Sequence, residues 1–580
     1  MNPRPVFLSV LFFLPFIGCA TQYSPGDAER EIASGNASRR LSQLVDAEEA
    51  GIDLLPQQER ERLLAQARGY VEFKTNRKLS RAQRKQMVDH CAENEDDNIF
   101  CEYVIGDGAP RLRGKRVRTP RHPFSLTTLM RGLKKQSVDL PEGLQLRDVG
   151  RALKPVSKMD RMDPYFEALK DYPVCLPPAI FTGFGIKAEE GFPDERYRQY
   201  ALSLYAKAAE CGDDESAIQA SYRLGLMYVW NKRYAEAEKV LVRVSEHPKG
   251  DVLLSRALFW RQFSARQMKN EALEEEMRLR LVREFPLSIH GLLANTDEGL
   301  NEFKIIAGSD PVVHFRSATR PDLNPIVMAA EALHRIGFAN LSDRILEPLL
   351  EQLEGAEPSF QLYLAVLFKR NGDTIRKFQL IAQIVRNDPM MISKQTLEML
   401  YPLSIFELVR IHEEKIDPYV VISLIRQESA FNARAKSPAG AMGLMQVMPR
   451  TARMFTRGAR KTLYDPQINV KVGVAFFARL LKRYGGDVEL ALAAYNCGPE
   501  RVDRWVKRYP IENRMLFLDL LPIRETREYV ASIARNYYWY LRLYQKDLME
   551  ERLSGNPSPR PVPVGASDRP GAFFNVFGKS

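Results

Sequence analysis

The residues able to do chemistry are concentrated between Glu407 and Asp547, and one carboxylate stands out among them. Asp417-Pro418 reads as a helix start, an N-cap acid followed by proline at the first helical position. In the run that follows, Val421, Leu424, Ile425 and Glu428 fall at i, i+3, i+4 and i+7, which is one stripe of a helix. A carboxylate on a stripe expected to be buried is costly unless it is paired or neutral. Desolvation raises its pKa, which keeps it protonated near neutral pH and able to donate a proton. The plainer alternative is a glutamate ion-paired at a helix end. Between Asn432 and Pro449, Pro438, Gly440 and Gly443 break the helix and let backbone approach a ligand, while Ser437 and Gln446 offer hydrogen bonds. Another helix is expected from Thr451. Further on, Ala493-Ala494-Tyr495-Asn496 closes a helix that Cys497-Gly498-Pro499 terminates, and Leu521 to Val530 opens the last one. Asp465, in Tyr464-Asp465-Pro466, reads as a helix cap in preference to a second catalytic carboxylate.

Something must hold these residues in place, and the preceding half of the chain supplies it. The protein has 580 residues, more than one core ordinarily serves, with 45% apolar and 27% charged residues. Those values exclude a polytopic membrane protein, a collagen and a wholly disordered chain. From about Leu41 to Leu403 strand signals are scarce and amphipathic helical patterns recur between short polar turns. Ser221 to Pro248 is the clearest unit. Leu224, Gly225 and Tyr228 line one helix face, Tyr234, Ala237 and Leu241 the next, and Asn231-Lys232-Arg233 turns between them. This unit resembles a tetratricopeptide repeat, in which a small residue lets two helices cross closely. Ser255–Ala294 continues the pattern with another pair, and Pro325–Leu346 and Phe360–Ile384 repeat it in degenerate form. A single repeat cannot bury its own face, so stacking into a superhelix is the expected solution, with an irregular helical bundle as the alternative.

Charge and cysteine content bear on the partners. Lys and Arg number 84 against 73 Asp and Glu, a net charge of +11, which predicts attraction to something acidic. Met1 to Ala20 combines Arg4 with an apolar run from Val6 to Ile17, too short to span a ~30 Å hydrocarbon core and suited to a signal peptide. Phe16-Ile17-Gly18-Cys19 resembles a bacterial lipobox, with Phe16 where that pattern usually carries Leu. Cys19 would then be diacylated, anchoring the protein to a membrane; an ordinary secretory signal is the alternative. Either way the mature chain is exported, and nucleic acid is not expected as a partner. Of the six cysteines, Cys91–Cys101 and Cys175–Cys211 are plausible pairs, with Cys497 expected as a buried small hydrophobe. The seven histidines show no metal-ligand spacing. Glu93 to Asn98 reads as a solvated acidic turn. Arg111 to Arg121 reads equally as an exposed cationic loop or as a contact for an anionic polymer.

Glu428-Ser429, the Gly443-Leu444-Met445-Gln446 run, Ala494-Tyr495-Asn496 and Glu525-Thr526-Arg527-Glu528-Tyr529-Val530 occur in order. They resemble the four signature blocks of the soluble lytic murein transglycosylase family. Phe285-Pro286-Leu287-Ser288 and Gly291-Leu292-Leu293-Ala294 resemble the helical superhelix of its large members. The resemblance implies an all-α protein: a lipoprotein signal peptide over residues 1–18, a linker over 19–40, a tetratricopeptide-like superhelix over 41–403, a lysozyme-like catalytic domain over 404–548 and a disordered tail over 549–580. It implies cleavage of the MurNAc–GlcNAc bond of peptidoglycan without water, Glu428 acting as acid and then as base. Ser437 would orient the 2-acetamido group, while Gln446, Met448, Tyr495, Asn496 and Glu525 would shape the sugar subsites. The partners would be glycan strands, a membrane through the Cys19 anchor, and cell-wall enzymes held by the superhelix. The location would be the periplasm, on the outer membrane, and no cofactor or metal is called for. A hydrolase like goose-type lysozyme and a non-catalytic wall-binding scaffold are the alternatives. Cys497, where the family usually carries Ala or Gly, and the basic Ile523-Arg524 depart from its pattern.

Overall fold

A computed structural model describes residues 124–544 apart from 142, 249–252, 297–315, 336–338, 389–390, 413–415 and 457–461. The signal segment, Cys19, the linker, the array before residue 124, Cys91, Cys101, the acidic turn, the basic stretch 111–121 and the tail lie outside those residues. Among the described residues the secondary structure is helical, with only the isolated antiparallel bridges Lys436–Met442 and Met442–Val447 besides. None of these helices is long and apolar enough to cross a membrane.

The array is built from helix pairs. We label α1 Pro178–Ala188, α2 Glu195–Glu210, α3 Glu215–Trp230, α4 Tyr234–Glu246, α5 Leu254–Gln267, α6 Glu271–Glu284, α7 Pro358–Asn371 and α8 Thr374–Asn387. Helices α3 and α4 pack as the repeat pattern predicts, with the turn at residues 231–233. Helix α3 starts earlier than its apolar face suggests, because Asp214 caps it by accepting from Ala217 N at 2.8 Å. Gly225 is the close-crossing residue: a Cβ there would stand 2.6 Å from Leu241 Cδ2. Gly291 does the same against backbone, where a Cβ would meet the Phe285 carbonyl oxygen at 2.1 Å. The Asn324–Arg335 and Ala339–Leu346 helices and the α7–α8 pair match the degenerate repeats, Gly372 ending α7 with φ 86°.

Cys175 and Cys211 form a disulfide, as expected, closing a sequence separation of 36 residues. Loop closure of that kind contributes about 2–4 kcal/mol. Cys497 is a free, part-buried thiol at the end of its helix.

The C-terminal helices are α9 Pro418–Ser429, α10 Pro466–Arg483, α11 Val488–Cys497, α12 Pro499–Arg508, α13 Arg514–Leu520 and α14 Arg524–Tyr544. Their apolar core is continuous with that of the array, running from Leu129 to Leu541. The junction is polar as well as apolar, which is unusual for so buried a seam. Glu189, after α1, pairs with Arg223 of α3 (Nε to Oε1 2.6 Å) and also accepts from Tyr205 (2.5 Å) and from Tyr509 of the C-terminal part (2.8 Å). Arg223 further donates to the Leu520 carbonyl at 3.0 Å. Beside them, Arg256 of α5 pairs with Asp519 and with Glu528 (2.9 Å), and Trp260 Nε1 donates to Asp519 Oδ2 at 2.7 Å.

Candidate active site

Helix α9 carries Glu428 and is the most enclosed element near it. Asp417 caps its start, accepting from Tyr419 N at 2.9 Å, with Pro418 at the first position, as the sequence indicated. The expectation of a single buried stripe is corrected here: every residue from Tyr419 to Gln427 is buried. The helix runs between the end of the array and α14, so it is wrapped on all sides instead of half-facing water. Even Arg426 is inside. It donates to the Leu400 carbonyl at 2.7 Å and to Asn536 Oδ1 at 2.9 Å, and lies over the rings of Phe378 and Tyr401. Those contacts hold the last turn of α9 from both sides.

The chain turns sharply just after the acid. Ala430 (φ 48°) and Phe431 (φ 67°) both adopt left-handed backbone, a conformation uncommon for non-glycine residues and sustained only by surrounding contacts. Glu428 is therefore held in the final turn of α9, part-buried, just before the reversal. Among the described residues no cation pairs with it. Tyr529 of α14 instead donates its hydroxyl to Glu428 Oε1 at 2.5 Å. Desolvation pushes the Glu428 pKa up to about 8; the Tyr529 hydrogen bond opposes the rise and the negative Glu525 adds to it. Tyr529 escaped the site prediction. Its spacing was the available signal, since Glu525 and Tyr529 stand at i and i+4 and share a face of α14.

The loop after α9 is tied down by Asn469 of α10. Its side chain accepts from Met445 N (2.8 Å) and donates to the Met442 and Leu463 carbonyls (2.8 and 2.7 Å). Gly443 (φ 77°) has no room for a side chain, a Cβ there lying 2.1 Å from Asn469 Nδ2. Gln446 braces the same loop, donating to Gly443 and Ala435 carbonyls at 2.8 and 3.1 Å, so that its amide nitrogen is engaged internally. Its buried Oε1 has no hydrogen-bond partner among the described residues. Tyr495 of α11 donates to the Met445 carbonyl at 2.8 Å, and burial together with the Glu428 charge raises its pKa. Asn496 accepts from Thr526 Oγ1 at 2.7 Å, joining the ends of α11 and α14.

The structure thus brings Glu428, Tyr495, Asn496, Glu525 and the Met445–Gln446 backbone to one place. Ser437 and Met448 sit on the same loop without bonding to that group. Ser437 accepts from Ala441 N at 2.9 Å and keeps its proton free to donate, while Met448 is 40% exposed. The helix expected from Thr451 begins instead at Pro449 and ends at Ala452, proline taking the first position. Asp465 caps α10, accepting from Gln467 and Ile468 N–H groups at 2.9 and 3.1 Å. Among the described residues, no group of three or more His, Cys, Asp or Glu side chains is arranged to hold a metal.

Replacing Tyr529 with Phe removes the hydrogen bond that favours the carboxylate form, so the Glu428 pKa should rise further. An acid donates a proton only while protonated, so a reaction that depends on proton donation by Glu428 is expected to slow above about pH 8 in the wild type. In Tyr529→Phe that alkaline limb should move to higher pH, read from kcat/KM against pH. An unmoved limb would dissociate Tyr529 from the acid.

Fold and site define a class: an all-α protein whose C-terminal helices hold a desolvated carboxylic acid beside a glycine-turned loop. Residues 409–517 match the family model described as the Transglycosylase SLT domain, a range that includes Glu428, the loop and Tyr495 and stops before Glu525 and Tyr529. The chain is 33% identical over 161 residues to the soluble lytic murein transglycosylase of Escherichia coli (strain K12), covering 26% of this chain and 25% of that protein. It is 41% identical over 98 residues to the transglycosylase of Enterobacteria phage PRD1, covering 16% of this chain and 35% of that one. The aligned region therefore spans about a quarter of the length of the E. coli relative. The solved 70-kDa soluble lytic transglycosylase of E. coli is similar over 91% of this chain and 92% of its own, at a TM-score of 0.48 and 17% identity.

Proposed function

We propose that this protein is a peptidoglycan lytic transglycosylase that uses Glu428 as both acid and base. The observation that carries this is the Glu428 carboxyl, raised to about 8 by burial yet bonded to Tyr529, inside the region that matches the SLT domain. Burial keeps the acid neutral before reaction, so it can protonate the glycosidic oxygen between MurNAc and GlcNAc as the C1–O bond breaks. The Tyr529 hydroxyl then stabilises the carboxylate that results. That carboxylate takes the proton from the MurNAc 6-hydroxyl, whose oxygen bonds to C1 and closes a 1,6-anhydro ring. The proton lost in the first half returns in the second, and no water is consumed. Both protonation states are accessible because the pKa lies near neutrality.

Ser437 supplies a hydroxyl for the 2-acetamido group. Gln446 shapes the subsite by bracing the loop, and Asn496, Glu525 and Met448 supply the polar and apolar contacts of the sugar subsites. The +11 charge suits a wall polymer bearing lactyl and peptide carboxylates. Mass spectrometry of digested sacculi tests the reading directly. Anhydro ends are expected; reducing MurNAc ends, heavier by one water, would make the protein a hydrolase instead.

The same proposal places the mature protein in the periplasm, lipid-anchored through Cys19 to the outer membrane, on the strength of the Met1–Ala20 sequence. Palmitate labelling of the full chain should be lost in Cys19→Ser. Equal labelling of the two would end the anchor.

A further inference from the structure

A cleft of about 270 Å³ opens where the array meets α12, its lining including Glu190, Arg501, Arg504, Trp505, Arg508 and Ile523. The three arginines stand at i, i+3 and i+7, one face of α12. The opposite face is bound to α10, where Asp503 takes Arg483 at 2.6 Å and Tyr484 at 3.0 Å, so the arginine face is fixed toward the cleft. Acidic neighbours do not neutralise it. Glu190 is paired with Lys187 at 2.6 Å, and Glu189, which also borders the cleft, is held by Arg223. Arg501 donates to the Cys497 carbonyl at 2.8 Å, but no ion pair or side-chain hydrogen bond among the described residues engages Arg504 or Arg508. Two guanidinium groups are thus left in a concave, aromatic-lined site, a geometry suited to carboxylates and the short aliphatic chains that carry them.

Its position indicates which carboxylates. Arg501 grips the end of the helix that bears Tyr495 and Asn496, and Ile523 leads directly into Glu525. Through Arg501 and Ile523 the cleft is tied to the ends of the two elements that carry Asn496 and Thr526, which bond to one another.

We propose that this cleft is a subsite for the acidic peptide stems of the wall, held by Arg504 and Arg508 while the sugars lie against Glu428. The assignment rests on the transglycosylase reading and adds the substrate feature that the enzyme would select. It separates stem-bearing from stem-free glycan by affinity, leaving the chemical step alone.

The test compares full-length wild type with Arg504→Gln/Arg508→Gln on intact glycan strands and on the same strands stripped of stems by an amidase. Arg501 is kept because it caps α11. The variant should raise KM on stem-bearing strands about ten-fold, about 1.4 kcal/mol, with kcat unchanged and with wild-type kinetics on stripped strands. Equal losses on both strands, or none on either, overturn the subsite. Should the wild type cleave neither strand, the catalytic reading fails by itself. Calorimetry with a free acidic stem tripeptide then decides the cleft: binding lost in the variant upholds it, and absence of binding to the wild type overturns it. Arginine-dependent pelleting with phosphatidylglycerol vesicles in place of peptide binding would also overturn it, assigning the cleft to lipid.

Discussion

Glu428→Gln is expected to lower turnover of peptidoglycan by about a thousand- to ten-thousand-fold, the scale of a lost general acid–base group. Gln has the shape of the protonated acid and keeps an acceptor for Tyr529, so the site should remain assembled and sacculus binding intact. A variant that clears the wall at the wild-type rate would sink the enzymatic proposal and leave a wall-binding scaffold. Stability provides an independent check with a definite sign. The Glu428 pKa is raised from 4.5 to about 8 in the folded state, so the folded protein holds this proton more tightly than the unfolded chain. The stabilisation is complete below about pH 4.5 and is lost as pH rises toward 8. Gln cannot ionise and escapes that loss. Glu428→Gln should therefore melt above the wild type at pH 7 and together with it near pH 4. A constant difference across that window would mean that the carboxyl is not desolvated.

The second large effect lies far from the chemistry. Arg223→Met leaves Glu189 buried at the junction with only tyrosine hydroxyls for company. Removing one partner of a buried ion pair typically costs about 3–5 kcal/mol. Because Arg223 also donates to the Leu520 carbonyl and Tyr509 shares Glu189, the loss should fall on the docking of the C-terminal helices against the array. In urea, the midpoint should drop sharply, with Trp260 and Trp505, near the seam, as fluorescence reporters. The double variant Glu189→Met/Arg223→Met, which removes both charges, should recover much of the loss, since an apolar pair of similar volume carries no desolvation penalty. If the double variant is as unstable as Arg223→Met, the cost lies in packing and the ion-pair account fails.

Glu189, Arg223, Arg256 and Asp519 illustrate what a linear reading cannot see. Each is an ordinary charged residue on its own helix, and nothing in its local spacing marks it as buried. Glu189 and Arg223 stand 34 positions apart, and other partners lie hundreds of positions away in the chain, as with Trp260 and Asp519 or Glu189 and Tyr509. Pairing at that separation depends on how the array helices and the C-terminal helices meet, and no local pattern encodes that meeting.

Local signals carried the helices well. Asp417-Pro418 and Asp465-Pro466 start helices where N-cap chemistry says they should, and Gly225 marks a close crossing because only hydrogen fits against Leu241. Glu428 was legible as an acid on a helix expected to be buried. That α9 is enclosed on every side was not, because the same apolar spacing suits a half-exposed helix; only the packing of α14 and the array end closes the remaining faces. Tyr529 shows the same division. The i, i+4 relation to Glu525 put it on the right face of α14, but its bond to a residue on another helix exists only once the two helices meet. Sequence by itself determined the residue types, the helix ends and which acid to propose for the reaction. Tertiary structure decided the desolvation of that acid and, among the described residues, left Arg504 and Arg508 unpaired in the cleft at α12, because both follow from what solvent and neighbouring charge are excluded when distant helices pack.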